Sequence, residues 1–334
     1  MYIINPIKQL IALLVLWLML IAPIQAADYD NSPEVEAYIS ELTQQYGFVK
    51  DNLQAMFKQV KKQQAILDLI AKPAEKAKLW KEYQTIFLTK KRLEDGVVFW
   101  NTNADALARA EQEYGLPAQI IVAIIGVETF YSRNMGSWPV LDALTTLSFD
   151  YPPRSDFFKK QLTQYLLMTR EEQLDPLILK GSYAGAMGMC QFMPGSFRAY
   201  AVDFDHNGII DIWQNPTDAI GSVANYFKQH GWQRDQATVL QVAVTGDKVA
   251  SGLSTGLELD KTVLQLTQAG WQLPDKLAKD TAVLAFRLDG EQGDEYWVGF
   301  KNFQVITRYN RSVMYSLVVY QLSEQLRAAK IANE

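Results

Sequence analysis

Apolar positions recur at helical spacing through much of the first third of the chain. Leu53, Met56, Phe57 and Val60 form one stripe, Ile66, Leu69 and Ile70 a second, and Leu79, Tyr83, Ile86 and Phe87 a third. That is the period of amphipathic helices. Ser32-Pro33-Glu34 supplies an N-cap, a first-turn proline and an acidic first turn. Residues 27–100 therefore read as an N-terminal helical domain. Two more helices are predicted between Asn103 and Met135, ADALARAEQEYG and LPAQIIVAIIGVETFYS, parted at Gly115 with Pro117 opening the second. Segments 155–175 and 217–231 keep the same period, and Gly231 closes the latter. After Trp232 the texture changes. AVLAFRL and EYWVGF flank DGEQGD and read as a β-hairpin. A last helix spans Ser312–Ala329. The pattern predicts a mainly α (α+β) protein. Its parts are the helical domain 27–100, a core at 101–234, a small α/β insertion domain at 235–308 and a C-terminal segment and helix, 309–334, returning to the core or helical domain.

The N-terminus, MYIINPIKQLIALLVLWLMLIAPIQAADYD, carries Lys8 before the apolar run Leu10–Ala22. The run is shorter than the roughly 20 residues of a spanning helix. It ends in Pro23 and the small pair Ala26-Ala27, the layout of a secretory signal over 1–26 cut after Ala26. An uncleaved anchor is the competing reading, and would be the chain's one route to a membrane. No cysteine follows the run, so no lipobox is expected. Cys190 is the only cysteine, which excludes an intrachain disulfide. The 334 residues hold 32 Lys+Arg against 37 Asp+Glu. That mildly acidic balance argues against a nucleic-acid partner and suits a weakly charged substrate.

Three segments carry chemistry. Glu128 ends an apolar run and is surrounded on its helix by Ile121, Ile124, Ile125 and Val127. Desolvation favours the protonated carboxylic acid, the form a leaving oxygen needs as proton donor. A buried glutamate tied to an arginine or a helix end is the bland alternative. The second segment is GSYAGAMGMCQFMPGSF, residues 181–197. Gly185 and Gly188 allow tight turns, while Ser182 and Gln191 add hydrogen-bonding groups among apolar neighbours. Two helices packed through small residues would also produce AGAMG. The third is DFDHNGIIDIWQNPTD, residues 203–218. Asp203, Asp205 and Asn207 alternate as oxygen ligands, Gly208 takes the sharp-turn position and Ile209 offers its carbonyl. This is the first half of an EF-hand loop. The twelfth position is Gln214, so Asp218 would have to close the site. A metal-free Asx turn is the alternative. Tyr83, Tyr131, Tyr183, Tyr226, Tyr309 and Tyr315 recur beside these segments, and aromatic faces stack on the apolar faces of sugars. Asn310 could complete a polar lining.

Together, GVETFY, NMGSWPVLDALTTLSFDYPPRSDFF, SYAGAMGMCQFMPGS, DFDHNGIIDIW, DAIGSVANYF with HGW, and ITRYN with Tyr315 resemble the lytic murein transglycosylase B family over nearly the whole chain after the leader. The resemblance implies a lysozyme-like core with a helical domain and a small β domain. It implies cleavage, in the periplasm, of the β-1,4 bond between N-acetylmuramic acid and N-acetylglucosamine without water, leaving 1,6-anhydromuramoyl ends. Glu128 would be the catalytic acid/base. Ser182, Gln191, Tyr226, Tyr309, Asn310, Tyr315, Tyr83 and Tyr131 would bind glycan or support catalysis. Asp203, Asp205, Asn207, Ile209 and Asp218 would hold a structural Ca2+, with no organic cofactor. Partners would be peptidoglycan glycan strands and other cell-wall enzymes, and the chain would act as a monomer. Family members often have glycine where this chain has Ser132 and Cys190. Cys190 reads as a wall residue, since neither His206 nor His230 is near it in sequence.

Most glycosidases use two carboxylates. Only Glu128 has the placement here, so the substrate's own N-acetyl oxygen would take the place of the second. Two alternatives stand: a lysozyme-type hydrolase using Asp142, Asp150 or Asp156, and a non-catalytic peptidoglycan-binding protein.

Overall fold

The structure, a computed structural model, describes residues 28–30, 32–71 and 78–332. The leader assigned to 1–26 lies outside the described residues. The chain divides into two compact units, one ending at Lys62 and the other beginning at Gln63. The sequence pattern places its first boundary near residue 100.

In the first unit, α1 (Pro33–Tyr46) and α2 (Lys50–Phe57) pack as a pair. Pro33 stands at N1, where its missing N–H is no loss, and Glu34 and Glu36 face the positive end of the helix. Ser32 does not cap with its side chain; its hydroxyl donates to Glu34 instead. Val35, Tyr38, Ile39 and Leu42 are buried on α1, as are Leu53, Met56 and Phe57 on α2. The Tyr38 and Phe57 rings meet edge-on.

The second unit opens with α3 (Gln64–Ile70), α4 (Trp80–Phe87), α5 (Lys90–Thr102) and α6 (Ala104–Tyr114). These lead into α7 (Ala118–Thr129), whose described core is apolar on every side: ten of its twelve residues are buried. A helix of that kind must be surrounded. Here α5, α6, α11 (Pro216–Gln229) and α15 (Val313–Ala332) enclose it. The predicted helix, written to Ser132, stops three residues early. Phe130, Tyr131 and Ser132 all take left-handed backbone angles, which no right-handed helix can continue. Beside this core, α8 (Val140–Phe149) packs on α9 (Ser155–Glu171), and a short antiparallel pair, β1 (Trp138–Pro139) with β2 (Lys180–Gly181), leads into the glycine-rich loop. Next come α10 (Pro194–Tyr200) and the acidic loop before α11. The expected helix at 155–175 ends at Glu171 and that at 217–231 at Gln229.

Residues 239–299 form a four-stranded antiparallel sheet, ordered β3 (Val239–Val242), β6 (Gly293–Gly299), β5 (Ala282–Gly290), β4 (Lys261–Thr262). The predicted hairpin is β5–β6, closed by Glu291-Gln292 between the Gly290–Gly293 pair. With the short α12 (Val249–Gly252) and α13 (Val263–Gln268), the sheet buries Val263, Leu266, Trp271, Val283, Ala285 and Val298 in a small core of its own. On the opposite face Phe286 stacks on Phe303 of α14 (Lys301–Tyr309). From there α14 and α15 carry the chain back to α7.

Candidate functional site

Glu128 is the penultimate residue of α7 and is half-buried. Tyr315, near the start of α15, donates its hydroxyl to Glu128 Oε1. The Tyr315 hydroxyl is buried beside that carboxylate, and both burial and the negative charge push its pKa well above the ordinary tyrosine value. It therefore remains a proton-bearing donor through the neutral range. Tyr309, ending α14, donates to the carbonyl of Cys190 at 2.6 Å. Burial, with the Glu128 charge nearby, raises its pKa as well. Tyr83 of α4 is buried within electrostatic reach of the Tyr315 hydroxyl. Asn310 sits half-buried in the link between α14 and α15. Five residues far apart in sequence thus converge on one helix end: Glu128, Tyr83, Tyr309, Tyr315 and, through the carbonyl that Tyr309 holds, Cys190.

The loop after β2 forms the neighbouring wall. Ser182 Oγ accepts from the amides of Ala184 at 3.3 Å and Ala186 at 3.0 Å, which folds the loop over its own side chain. Bridges join Met187 to both Gly181 and Phe192, so AGAMG is a turn rather than a helix contact. Gln191 is left-handed, and its side-chain amide donates to the carbonyls of Gly188 at 2.9 Å and Met135 at 3.2 Å. Cys190 is fully buried and donates from sulfur to Ala219 O at 3.4 Å. Burial, with Glu128 and Asp218 next in weight, pushes its thiol far up; it is a thiol and not a nucleophilic thiolate.

Two of the sequence-picked tyrosines serve other ends. The Tyr131 ring stacks on Phe99, and its hydroxyl fills notches at Gly96 and Gly126 that a methyl group would block. It keys α5 to α7 and is not brought to the Glu128 cluster. Tyr226 donates to Arg308 O at 2.6 Å and packs between His230, Tyr200 and Tyr309. It braces Tyr309.

In the acidic loop, carboxylate oxygens of Asp203, Asp205 and Asp218 all lie within 4.8 Å of one another. Two oxygens on opposite sides of a Ca2+ ion stand roughly 4.6–5.2 Å apart, so this cluster fits one ion. Gly208, at φ 89°, makes the sharp turn expected. Asp218 is wholly buried; burial lifts its carboxyl above the usual carboxylate range, against the bonds it accepts from the Phe204 and Asp211 amides. Asn207 Oδ1 accepts from the Ile209 amide. The loop is also joined to the glycine-rich wall loop: Ile212 O accepts from the Met189 amide at 2.8 Å.

Sequence reasoning passed over Thr129. Its buried hydroxyl lies 3.1 Å from Ile125 O, 3.1 Å from the Ser132 amide and 3.3 Å from Met189 O. The available signal was a threonine at a helix end directly after the one glutamate in an apolar run.

A half-buried glutamate at a helix end, held by a tyrosine beside a glycine-rich wall in a mainly helical core, defines a glycan-cleaving site of the lysozyme type. Comparison with known proteins agrees. Residues 30–324 match the family described as Transglycosylase SLT domain. The chain is 44% identical over 313 residues to the membrane-bound lytic murein transglycosylase B of Escherichia coli K12, covering 91% of this chain and 85% of that one. It superposes on the soluble lytic transglycosylase SltB1 of Pseudomonas aeruginosa with TM-score 0.86 at 54% identity, over 89% of this chain and 99% of that chain. Against the E. coli lytic transglycosylase Slt35 in complex with calcium the TM-score is 0.83 at 43% identity, over 92% and 96%. The chain belongs to the transglycosylase SLT-domain family. It is a lytic murein transglycosylase that cleaves peptidoglycan, and its core is lysozyme-like.

Proposed function

We propose that Glu128 is the sole acid/base of this enzyme and that it cuts the N-acetylmuramic acid–N-acetylglucosamine bond without water. The observation that carries the reading is the Tyr315–Glu128 hydrogen bond. Glu128 first gives its proton to the leaving glycosidic oxygen as the bond to the anomeric carbon breaks. The N-acetyl oxygen of the muramoyl residue shares the positive charge on that carbon. The Glu128 carboxylate, now stabilised by the Tyr315 hydroxyl, takes the proton of the muramoyl 6-hydroxyl as that oxygen bonds to the anomeric carbon. Intramolecular attack gains an effective molarity of roughly 10⁵ M or more, so a passing water does not compete. Asp142 is engaged elsewhere, its carboxylate accepting from the Gln63 side-chain amide at 2.8 Å.

Ser182 shapes the wall loop, Gln191 pins it, and Tyr309 braces it through the Cys190 carbonyl; with Asn310 these are assigned to the glycan subsites. Asp203, Asp205, Asn207, the Ile209 carbonyl and Asp218 are assigned to a Ca2+ ion, which would supply charge neutralisation and rigidity to the loop and no chemistry to the cut. The mutual approach of three carboxylates supports this. The apolar leader supports export to the periplasm. No described helix is long and apolar enough to cross a membrane.

Glu128→Gln is expected to bind glycan strands yet release no soluble muropeptides from purified sacculi. The wild-type product should be lighter by one water than the lysozyme product in mass spectrometry. Retained turnover in the variant, or a hydrated product, refutes the reading.

A further inference from the structure

We propose that Thr129 is the positioning residue for Glu128: its hydroxyl ties the end of α7, the turn that follows it and the cleft wall into one unit. The inference rests on the reading of Glu128 as acid/base and adds what holds that group in place.

Thr129 is fully buried, adjacent to Glu128, and reaches three backbone groups from three segments. A threonine hydroxyl has one proton and two lone pairs. It accepts from the Ser132 N–H and shares its proton between Ile125 O in the last turn of α7 and Met189 O in the wall loop. A second tie runs from the Asn134 amide to Thr129 O at 2.9 Å.

The segment so held is strained. Phe130, Tyr131 and Ser132 have φ of 52°, 58° and 71°, three successive side chains in the region that favours glycine. Such a run persists only where its surroundings over-determine it, and strain of this kind gathers at working sites. Met189 is itself fixed from the far side, its amide donating to Ile212 O. The hydroxyl of Thr129 therefore sits where the proton donor's helix meets the wall against which a sugar would lie. Without it, the helix end and the wall can drift apart, taking Glu128 away from Tyr315. A displacement near 1 Å lowers a rate by about 100-fold.

The test compares Thr129→Val, which keeps the shape and loses the hydroxyl, with Thr129→Ser, which keeps the hydroxyl. On purified sacculi, Thr129→Val should lose roughly 10- to 100-fold in kcat with KM within about twofold of wild type. The basic limb of its pH–kcat profile, where Glu128 loses the proton it must donate, should move, and Thr129→Ser should restore both rate and profile. Should Thr129→Val not fold, the Thr129→Val/Ser132→Gly double variant relieves the left-handed strain and is expected to show the same loss. A folded valine variant, single or double, with wild-type kcat and an unmoved basic limb overturns the proposal; so does a serine variant no better than valine. Glu128→Gln run in parallel separates the two readings, because its retained turnover would refute the acid/base assignment without reference to Thr129.

Discussion

The end of α7 and the acidic loop are both tight turns with left-handed residues, and they are held by opposite means. After Glu128, three non-glycine residues are forced left-handed in an apolar setting, fixed by a buried hydroxyl, a ring in two glycine notches and neighbouring backbone. In the acidic loop the turn is made at Gly208 in open space, and side-chain oxygens of Asp203 and Asn207 accept the loop's own amides. The first turn is set by packing and needs nothing added. The second collects the carboxylates of Asp203, Asp205 and Asp218, whose charge the proposed Ca2+ would balance. The two meet at one backbone bond, Met189 N–H to Ile212 O.

Their glycines give the sharpest contrast. Gly188 is left-handed at φ 64°, and a Cβ there would come within 2.6 Å of Ile212 O, a backbone atom that cannot swing aside. Gly208 is also left-handed but has nothing within 4 Å. Gly188→Ala should therefore lose about 2–5 kcal/mol, from the left-handed penalty plus overpacking. Gly208→Ala should lose only about 1–2 kcal/mol. Denaturant unfolding of both variants checks this. Equal losses would mean that the wall loop is not pressed against the acidic loop.

Cation binding should separate the two turns next. At a free calcium concentration of about 100 times Kd, binding to the native state alone adds about 2.7 kcal/mol. That is a rise of several degrees in the melting temperature, reversed by chelator. Asp203→Asn/Asp218→Asn should abolish the rise, while Tyr315→Phe should leave it intact. An unchanged melting temperature with and without calcium removes the metal from the loop.

High pH should act on the other turn. Tyr309 and Tyr315 have folded-state pKa values raised well above the ordinary tyrosine value by burial. The neutral hydroxyls then contribute stability in full below about pH 10, the unfolded value. Above it the unfolded chain holds fewer protons, and stability falls as pH rises. Each such tyrosine contributes a slope of about 1.4 kcal/mol per pH unit in that range. Tyr315→Phe should flatten the stability curve between pH 10 and 11 by about one such slope. An identical curve in wild type and variant contradicts the burial of that hydroxyl beside Glu128.

How far each region could be read from the sequence follows the same division. The approach of Asp203, Asp205 and Asp218 was legible, because these carboxylates come from one short segment with regular spacing. Glu128 was legible as an anomaly, a carboxylate in an apolar run. The partners of Glu128 were not legible from spacing: Tyr315 is 187 positions away, and the residues alone offered it only as one of six tyrosines beside polar segments. Tyr131 shows how a packing role hides in the sequence. An aromatic beside the glutamate looks like a sugar platform until the left-handed turn sends its ring between α5 and α7. Helix ends were the least legible, as Ser32 shows: it has the sequence of a cap and makes a different bond. The hairpin was placed well because two alternating runs and a glycine-bounded turn determine one another locally.

The smallest expected effect bears most directly on how the α7 turn is held. Ser132 has φ 71°, and the left-handed region costs a non-glycine residue about 1–2 kcal/mol. Glycine removes that penalty but gives the unfolded chain more freedom, worth about 0.5–1 kcal/mol in the other direction. Ser132→Gly should therefore stabilise by about 0.5–1 kcal/mol, a shift of about 1–4 °C in melting temperature for a unit of this size. Its amide can still donate to Thr129, so kcat should not change. If the variant is instead less stable, the serine side chain is holding the turn, and the strain ascribed to this segment is offset at Ser132 itself rather than by the Thr129 hydroxyl.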